Sequence, residues 1–161
     1  MPVIDFITDA EKLTMTVVCE FSATPERVWQ LWEDPRELER WWGPPEWPAT
    51  FHHYDFVEGG NAKYFMTGPD GTKMHGWWEF TNIDAPRTLA LMDRFAEDDG
   101  EPTDKHGTTN QVTTIEPVTS GTRMTLFSQF ESTEQLEEMV AMGMEDGLRD
   151  ALGQIDGILA G

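Results

Sequence analysis

The sequence predicts an α+β fold in which a curved antiparallel sheet wraps around one long C-terminal helix. Three observations lead there. Strand-like segments with short turns fill the middle of the chain, two short helices follow the first strand, and apolar residues recur at helical spacing from Leu136 to Leu159. At 161 residues the chain is expected to form a single domain over 1–161, large enough to bury a core.

The β-branched stretch 14–21 reads as the first strand. Thr24 and Pro25 then supply an N-cap and a first helical residue, and Val28, Leu31 and Trp32 follow on one helix face. Asp34-Pro35 opens a second short helix through Leu38. The prolines of Trp41-Trp42-Gly43-Pro44-Pro45 make the next segment a loop. Six strands are predicted beyond it, at 50–57, 62–66, 73–81, 89–95, 108–115 and 122–130. The turn signals between them include Gly59-Gly60, Gly68-Pro69-Asp70-Gly71 and Thr119-Ser120-Gly121, and the polar stretch 96–107 reads as a loop. Ser132 or Thr133 caps one last helix that runs to the C-terminus.

Composition excludes several classes of function. Hydrophobic residues at 39% and charged residues at 25% describe a globular chain, and seven Trp with nine Phe imply an aromatic core. A formal net charge of −19 repels phosphate backbones and anionic lipid, so neither nucleic acid nor a membrane is an expected partner. Cys19 is the only cysteine, which rules out an internal disulfide and a thiolate metal cluster; a buried, inert thiol is expected. Acidic residues (Asp5, Asp9, Glu11) stand where a secretion signal would be basic, and no stretch approaches the ~20 apolar residues of a membrane span. A cytoplasmic location is expected.

No phosphate-cradling loop, nucleophile elbow, His-Glu-x-x-His or EF-hand loop is present, so no catalytic set, metal or cofactor is predicted. His52 and His53 are adjacent and would point to opposite faces of a strand, while His75 and His106 stand alone. Strand parity instead predicts an aromatic pocket. Tyr64 and Met66 share a face with Ala62; Trp78 and Phe80 share one with Met74 and Gly76; Met124 and Leu126 share one with Ser128. On the strand at 50–57 the inward set is taken as His52, Tyr54 and Phe56, with His53 and Asp55 outside. His52 would then be either a core histidine bonded to Tyr54 or backbone, or a group that orients a ligand.

The glycines of the last helix, Gly143 and Gly147 above all, each cost up to ~1 kcal/mol against Ala. They serve either close helix–sheet packing or room for a ligand. One Trp of the Trp41-Trp42 pair is expected to plug the core. Trp42 is expected to be partly exposed as a wall or lid of the mouth, with Trp78 largely buried. The candidate ligand-binding set is therefore Trp42, His52, Tyr54, Phe56, Tyr64, Met66, Trp78, Phe80, Met124, Leu126, Gly143 and Gly147.

Several of these segments also carry a family likeness. Thr24-Pro25 with Val28-Trp29 and Leu31-Trp32, Trp41-Trp42-Gly43-Pro44, and Gly59-Gly60 after Asp55 begin it. Pro86-Arg87-Thr88-Leu89, Gly121-Thr122-Arg123-Met124 and residues 143–152 continue it. Together they resemble the bacterial activator of heat-shock-protein-90 ATPase homologue-like family over almost the whole chain. That family belongs to the START-like (SRPBCC) helix-grip superfamily, with plant pollen allergens, polyketide cyclases and lipid-transfer domains.

The resemblance implies the helix-grip fold and either of two activities: binding of a small hydrophobic molecule, as superfamily relatives bind sterols, lipids or polyketides, or regulation of a chaperone ATPase. It carries over no catalytic residues, and Val57-Glu58 replaces the basic position usual before the glycine pair. Ligand binding is the leading expectation. A chaperone regulator would approach an acidic partner while itself carrying −19. A cyclase- or hydrolase-type enzyme, with His52 or a tyrosine as acid–base group, would need a second convergent polar group.

Overall fold

A computed structural model describes residues 2–161. Its eight strands are β1 (Val3–Asp9), β2 (Thr14–Phe21), β3 (Ala49–Tyr54), β4 (Asn61–Thr67), β5 (Lys73–Asp84), β6 (Thr88–Ala96), β7 (Thr109–Val118) and β8 (Gly121–Gln129). They form one antiparallel sheet in the order β1-β2-β8-β7-β6-β5-β4-β3. Helices α1 (Pro25–Glu33) and α2 (Pro35–Leu38) lie between β2 and β3. Helices α3 (Thr133–Ala141), α4 (Met144–Leu152) and α5 (Ile155–Ala160) close the chain. This is the α+β helix-grip architecture.

The caps fall where the side-chain chemistry puts them. Thr24 accepts from the Arg27 N–H at 3.2 Å, Asp34 from Arg36 at 2.9 Å, and Ser132 from Gln135 at 3.1 Å. Trp32 and Trp41 are fully buried, and their indole N–H groups donate to Met124 Sδ (3.3 Å) and the Leu31 carbonyl (3.0 Å). Trp41 is thus the plug of the core. The C-terminal helices are anchored by buried Leu136, Ala151, Leu152, Ile155 and Ile158, where a large aliphatic side chain contributes about 1.5–3 kcal/mol.

The structure departs from the sequence expectation in three places. Strand β1 precedes the strand expected to be first; it is an edge strand with Ile4 and Ile7 exposed, so it lacks the alternation of a half-buried strand. The C-terminal helix is three segments rather than one: Gly143 adopts φ +81°, a left-handed conformation that separates α3 from α4, and a second break at Gly153-Gln154 separates α4 from α5. In β3 the register shifts between Phe51 and His53. That bulge gives β3 an extra residue, so Ala49 and Phe51 point inward before it and Tyr54 after it. His52 and His53 both face out.

Candidate functional site

The sheet's inner face and the helices α3 and α4 enclose a cavity of about 440 Å³. Its walls are mostly apolar: Leu126 and Phe130 from the last strand and its exit, Phe95 from β6, Leu148 and Ala151 from α4, and Trp42, Pro44 and Trp47 from the loop after α2. Six of the chain's nine methionines line it: Met15, Met66, Met74, Met139, Met142 and Met144. Methionine is unbranched and polarizable, so such a wall adapts to differently shaped occupants. Met74 and Met142 are themselves exposed and rim the mouth.

The expected pocket residues divide. Trp42, Tyr64, Met66, Leu126, Gly143 and Gly147 line the cavity. Tyr54, Phe56, Trp78, Phe80 and Met124 do not; they pack in the filled half of the core, where Phe56 meets Phe80 at 5.1 Å and Tyr54 donates to the Trp32 carbonyl. Burial pushes the Tyr54 hydroxyl far above its ordinary pKa, with Glu33 and Asp34 adding to the shift, so it stays protonated. His52 is corrected outright. The bulge turns it to the outer face, where its ring stacks on Phe65 at 5.9 Å and Phe51 takes the inward place. Trp42 is only 8% exposed, so it is an inner wall of the cavity and not a lid. Gly143 belongs to a helix break and not to a continuous apolar stripe, whereas Gly147 sits within α4 with open space where a Cβ would stand.

Polar side chains that parity reasoning passed over also face the cavity. In β6, Leu89 and Leu91 are buried inward, and the same alternation brings Asp93 to the inner face between its cross-strand partners Trp78 and Thr109. Gln111 and Ser128 are opposite each other on β7 and β8 in the next row. The signal was in the sequence, since Leu89, Leu91 and Asp93 share one parity.

Tyr64 reaches this group because its partner across the strand is Gly76. A Cβ on Gly76 would come within 2.3 Å of the tyrosine ring, so the ring lies flat over that backbone. The Trp42 and Trp78 indole N–H groups close no hydrogen bond of good geometry. Both nevertheless act on the Tyr64 oxygen, and Trp78 acts also on the Asp93 carboxyl. The Gln111 Nε2 is likewise buried without an acceptor.

Burial dominates the electrostatics here. It raises the Asp93 pKa from 3.8 to about 7, and the Trp78 indole only partly offsets it. Burial, then the nearby Asp93, also keeps Tyr64 protonated well above the ordinary phenol range. None of the ion pairs among the described residues involves Asp93. The site can therefore offer O–H donors at neutral pH inside an apolar enclosure. Gln154 ties α4 and α5 to the tryptophan loop, donating to the Gly43 carbonyl at 2.8 Å and the Trp41 carbonyl at 3.3 Å. No helix among the described residues is long and apolar enough to cross a membrane.

Known proteins share this architecture. A solution structure of an Arthrobacter aurescens protein is 52% identical, with a TM-score of 0.93 over 98% of this chain and 92% of its own. A crystal structure of a Mycobacterium smegmatis protein is 41% identical, with a TM-score of 0.91 over 98% of this chain and 97% of its own. A Rhodobacter sphaeroides protein, 22% identical, shares the fold at a TM-score of 0.83 over 97% of each chain. No functionally curated protein matches the sequence. The family model described as activator of Hsp90 ATPase homolog 1-like protein matches residues 22–160. The chain belongs to that family.

Proposed function

We propose that the protein binds a small hydrophobic molecule in the cavity between the sheet and the C-terminal helices. The observation that carries this reading is an apolar space of about 440 Å³ with a confined group of polar side chains on one wall. Protein interiors are otherwise close-packed, with few voids larger than a water molecule. Small-molecule sites have this character, with volumes of roughly 300–1,000 Å³, apolar walls and a few placed polar atoms. The methionine-rich wall and the empty space beside Gly147 support it further.

Native mass spectrometry of the protein purified from its own host tests the reading, together with titration of the neutral apolar dye Nile red. A co-purified small molecule, or saturable dye binding at one site, is the expected result. Absence of both would overturn it.

An enzyme of cyclase or hydrolase type is the second reading. It is favoured by Asp93, which supplies the convergent polar group that the sequence did not reveal. It requires that the co-purified molecule change mass on incubation with the protein and that Asp93→Asn abolish the change. The family's description points instead to chaperone-ATPase activation, and the net charge of −19 opposes approach to an acidic partner.

A further inference from the structure

Resting on the ligand-binding reading, we infer that the cavity selects an apolar molecule whose head is one uncharged oxygen, a carbonyl or a hydroxyl, held by Tyr64 and Asp93, and that it discriminates against both carboxylate and ammonium heads. The polar wall is small and specific. Tyr64 and Asp93 lie near the Trp42 and Trp78 indoles, and Thr109 and Gln111 are next to them on β7. The other polar side chain facing the space, Ser128, lies opposite Gln111 in the next row, so a ligand has one polar zone in which to put one polar group.

The donors and acceptors at that place decide which group it is. The Trp42 and Trp78 indole N–H groups close no hydrogen bond, and burial keeps the Tyr64 O–H protonated and able to donate. Asp93 keeps its proton up to about neutrality because it is buried, and so presents a second O–H. With the unpartnered Gln111 Nε2 nearby, the site is rich in donors and short of acceptors. An ammonium head only donates, so it would leave these groups unpaired. A carboxylate accepts, but beside the protonated Asp93 it would be an unpaired charge taken out of water into an apolar enclosure, and where Asp93 ionises the two like charges repel. A carbonyl or hydroxyl oxygen accepts from both O–H groups and adds no charge.

No neighbouring charge alters this balance. On β4, Lys63 pairs with Glu101 at 3.4 Å, and on β5, His75 lies 3.9 Å from Asp98. On β6, Arg94 stands over the Trp77 ring at 5.6 Å and reaches Asp104 at 3.8 Å. His106, before β7, pairs with Glu138 of α3, and on α4 Arg149 pairs with Glu145 at 3.0 Å. Tyr64 is the only titratable group on these elements that acts together with Asp93.

Displacement of Nile red by decanol, a decanone, decanoate and decylammonium, which share one tail length, tests the inference. At about pH 6, where Asp93 holds its proton, the alcohol and ketone should bind at least about tenfold more tightly than either charged molecule. Raising the pH to about 8 should weaken ketone binding and ease the penalty on decylammonium as Asp93 loses its proton. In Asp93→Asn, which stays neutral and still donates, ketone binding should lose its pH dependence, and decanoate should no longer bind more weakly at about pH 8 than at about pH 6. Tyr64→Phe should weaken alcohol and ketone more than it weakens the unsubstituted hydrocarbon decane. If decanoate or decylammonium binds the wild-type protein at about pH 6 as tightly as decanol, the inference is overturned while the pocket reading stands. If no small molecule co-purifies and Nile red does not bind, the pocket reading falls and this inference with it; a co-purified molecule with a charged head overturns the inference alone.

Discussion

Replacing Asp93 with Asn isolates the energetic consequence of a carboxyl built into an apolar wall. The folded protein holds the Asp93 proton up to about pH 7, whereas an unfolded chain releases it near 3.8. Between those values the folded state binds more protons than the unfolded state, so stability falls as pH rises through the window. The contribution is fully present below about pH 4 and is lost above about pH 7. The rise from 3.8 to about 7 corresponds to about 4 kcal/mol at 1.36 kcal/mol per pH unit. Asn keeps the shape and never ionises. At about pH 8, Asp93→Asn should therefore be more stable than wild type by about 2–4 kcal/mol, a Tm gain of roughly 4–16 °C for a chain of this size. Below about pH 4 the two proteins should melt together. Urea or thermal unfolding of both across this range gives the difference curve, in which the chain's many other carboxylates cancel. A difference that does not change with pH, or a wild type that outlasts the variant at about pH 8, would refute the reasoning.

Three further outcomes follow from the geometry. Gly147→Leu places a side chain into open space within α4, so stability should hold or rise by up to about 1 kcal/mol while Nile red binding falls; Gly143→Ala, at φ +81°, should instead lose about 1–2 kcal/mol despite the room around it. In thermal melts, Phe51→Ala should cost about 3–5 kcal/mol and His52→Ala no more than about 0.5 kcal/mol, because the bulge buries the first and exposes the second; equal costs would place the bulge elsewhere. Cys19 is fully buried and its thiol is pushed up to about 12, so a thiol reagent at about pH 8 should label it only after unfolding, and prompt labelling of the native protein would contradict that burial.

The sequence by itself determined most of the frame. Caps at Thr24, Asp34 and Ser132 follow from side chains bonding their own neighbouring backbone, and a local interaction leaves a local signature. Strands β2 and β4 to β8 were legible because one face is buried and the other is not, which writes a period of two into the residues. The same period placed Tyr64, Met66 and Leu126 on the face that carries the cavity, and read one strand further it would have placed Asp93 there too.

Other features depended on tertiary structure. Strand β1 is an edge that gains its hydrogen bonds from β2, so its own residues need not alternate. The bulge at His52 is fixed by pairing with β4, and a single extra residue reverses parity beyond it, which is why a histidine expected inside lies outside. The break at Gly143 could not be told from a helical glycine by composition, since only the chain's path back over the sheet requires the left-handed turn. The pKa of Asp93 is the clearest case. Its ionisation is set by how little water reaches it beneath elements far apart in the chain, with no ion pair to it among the described residues.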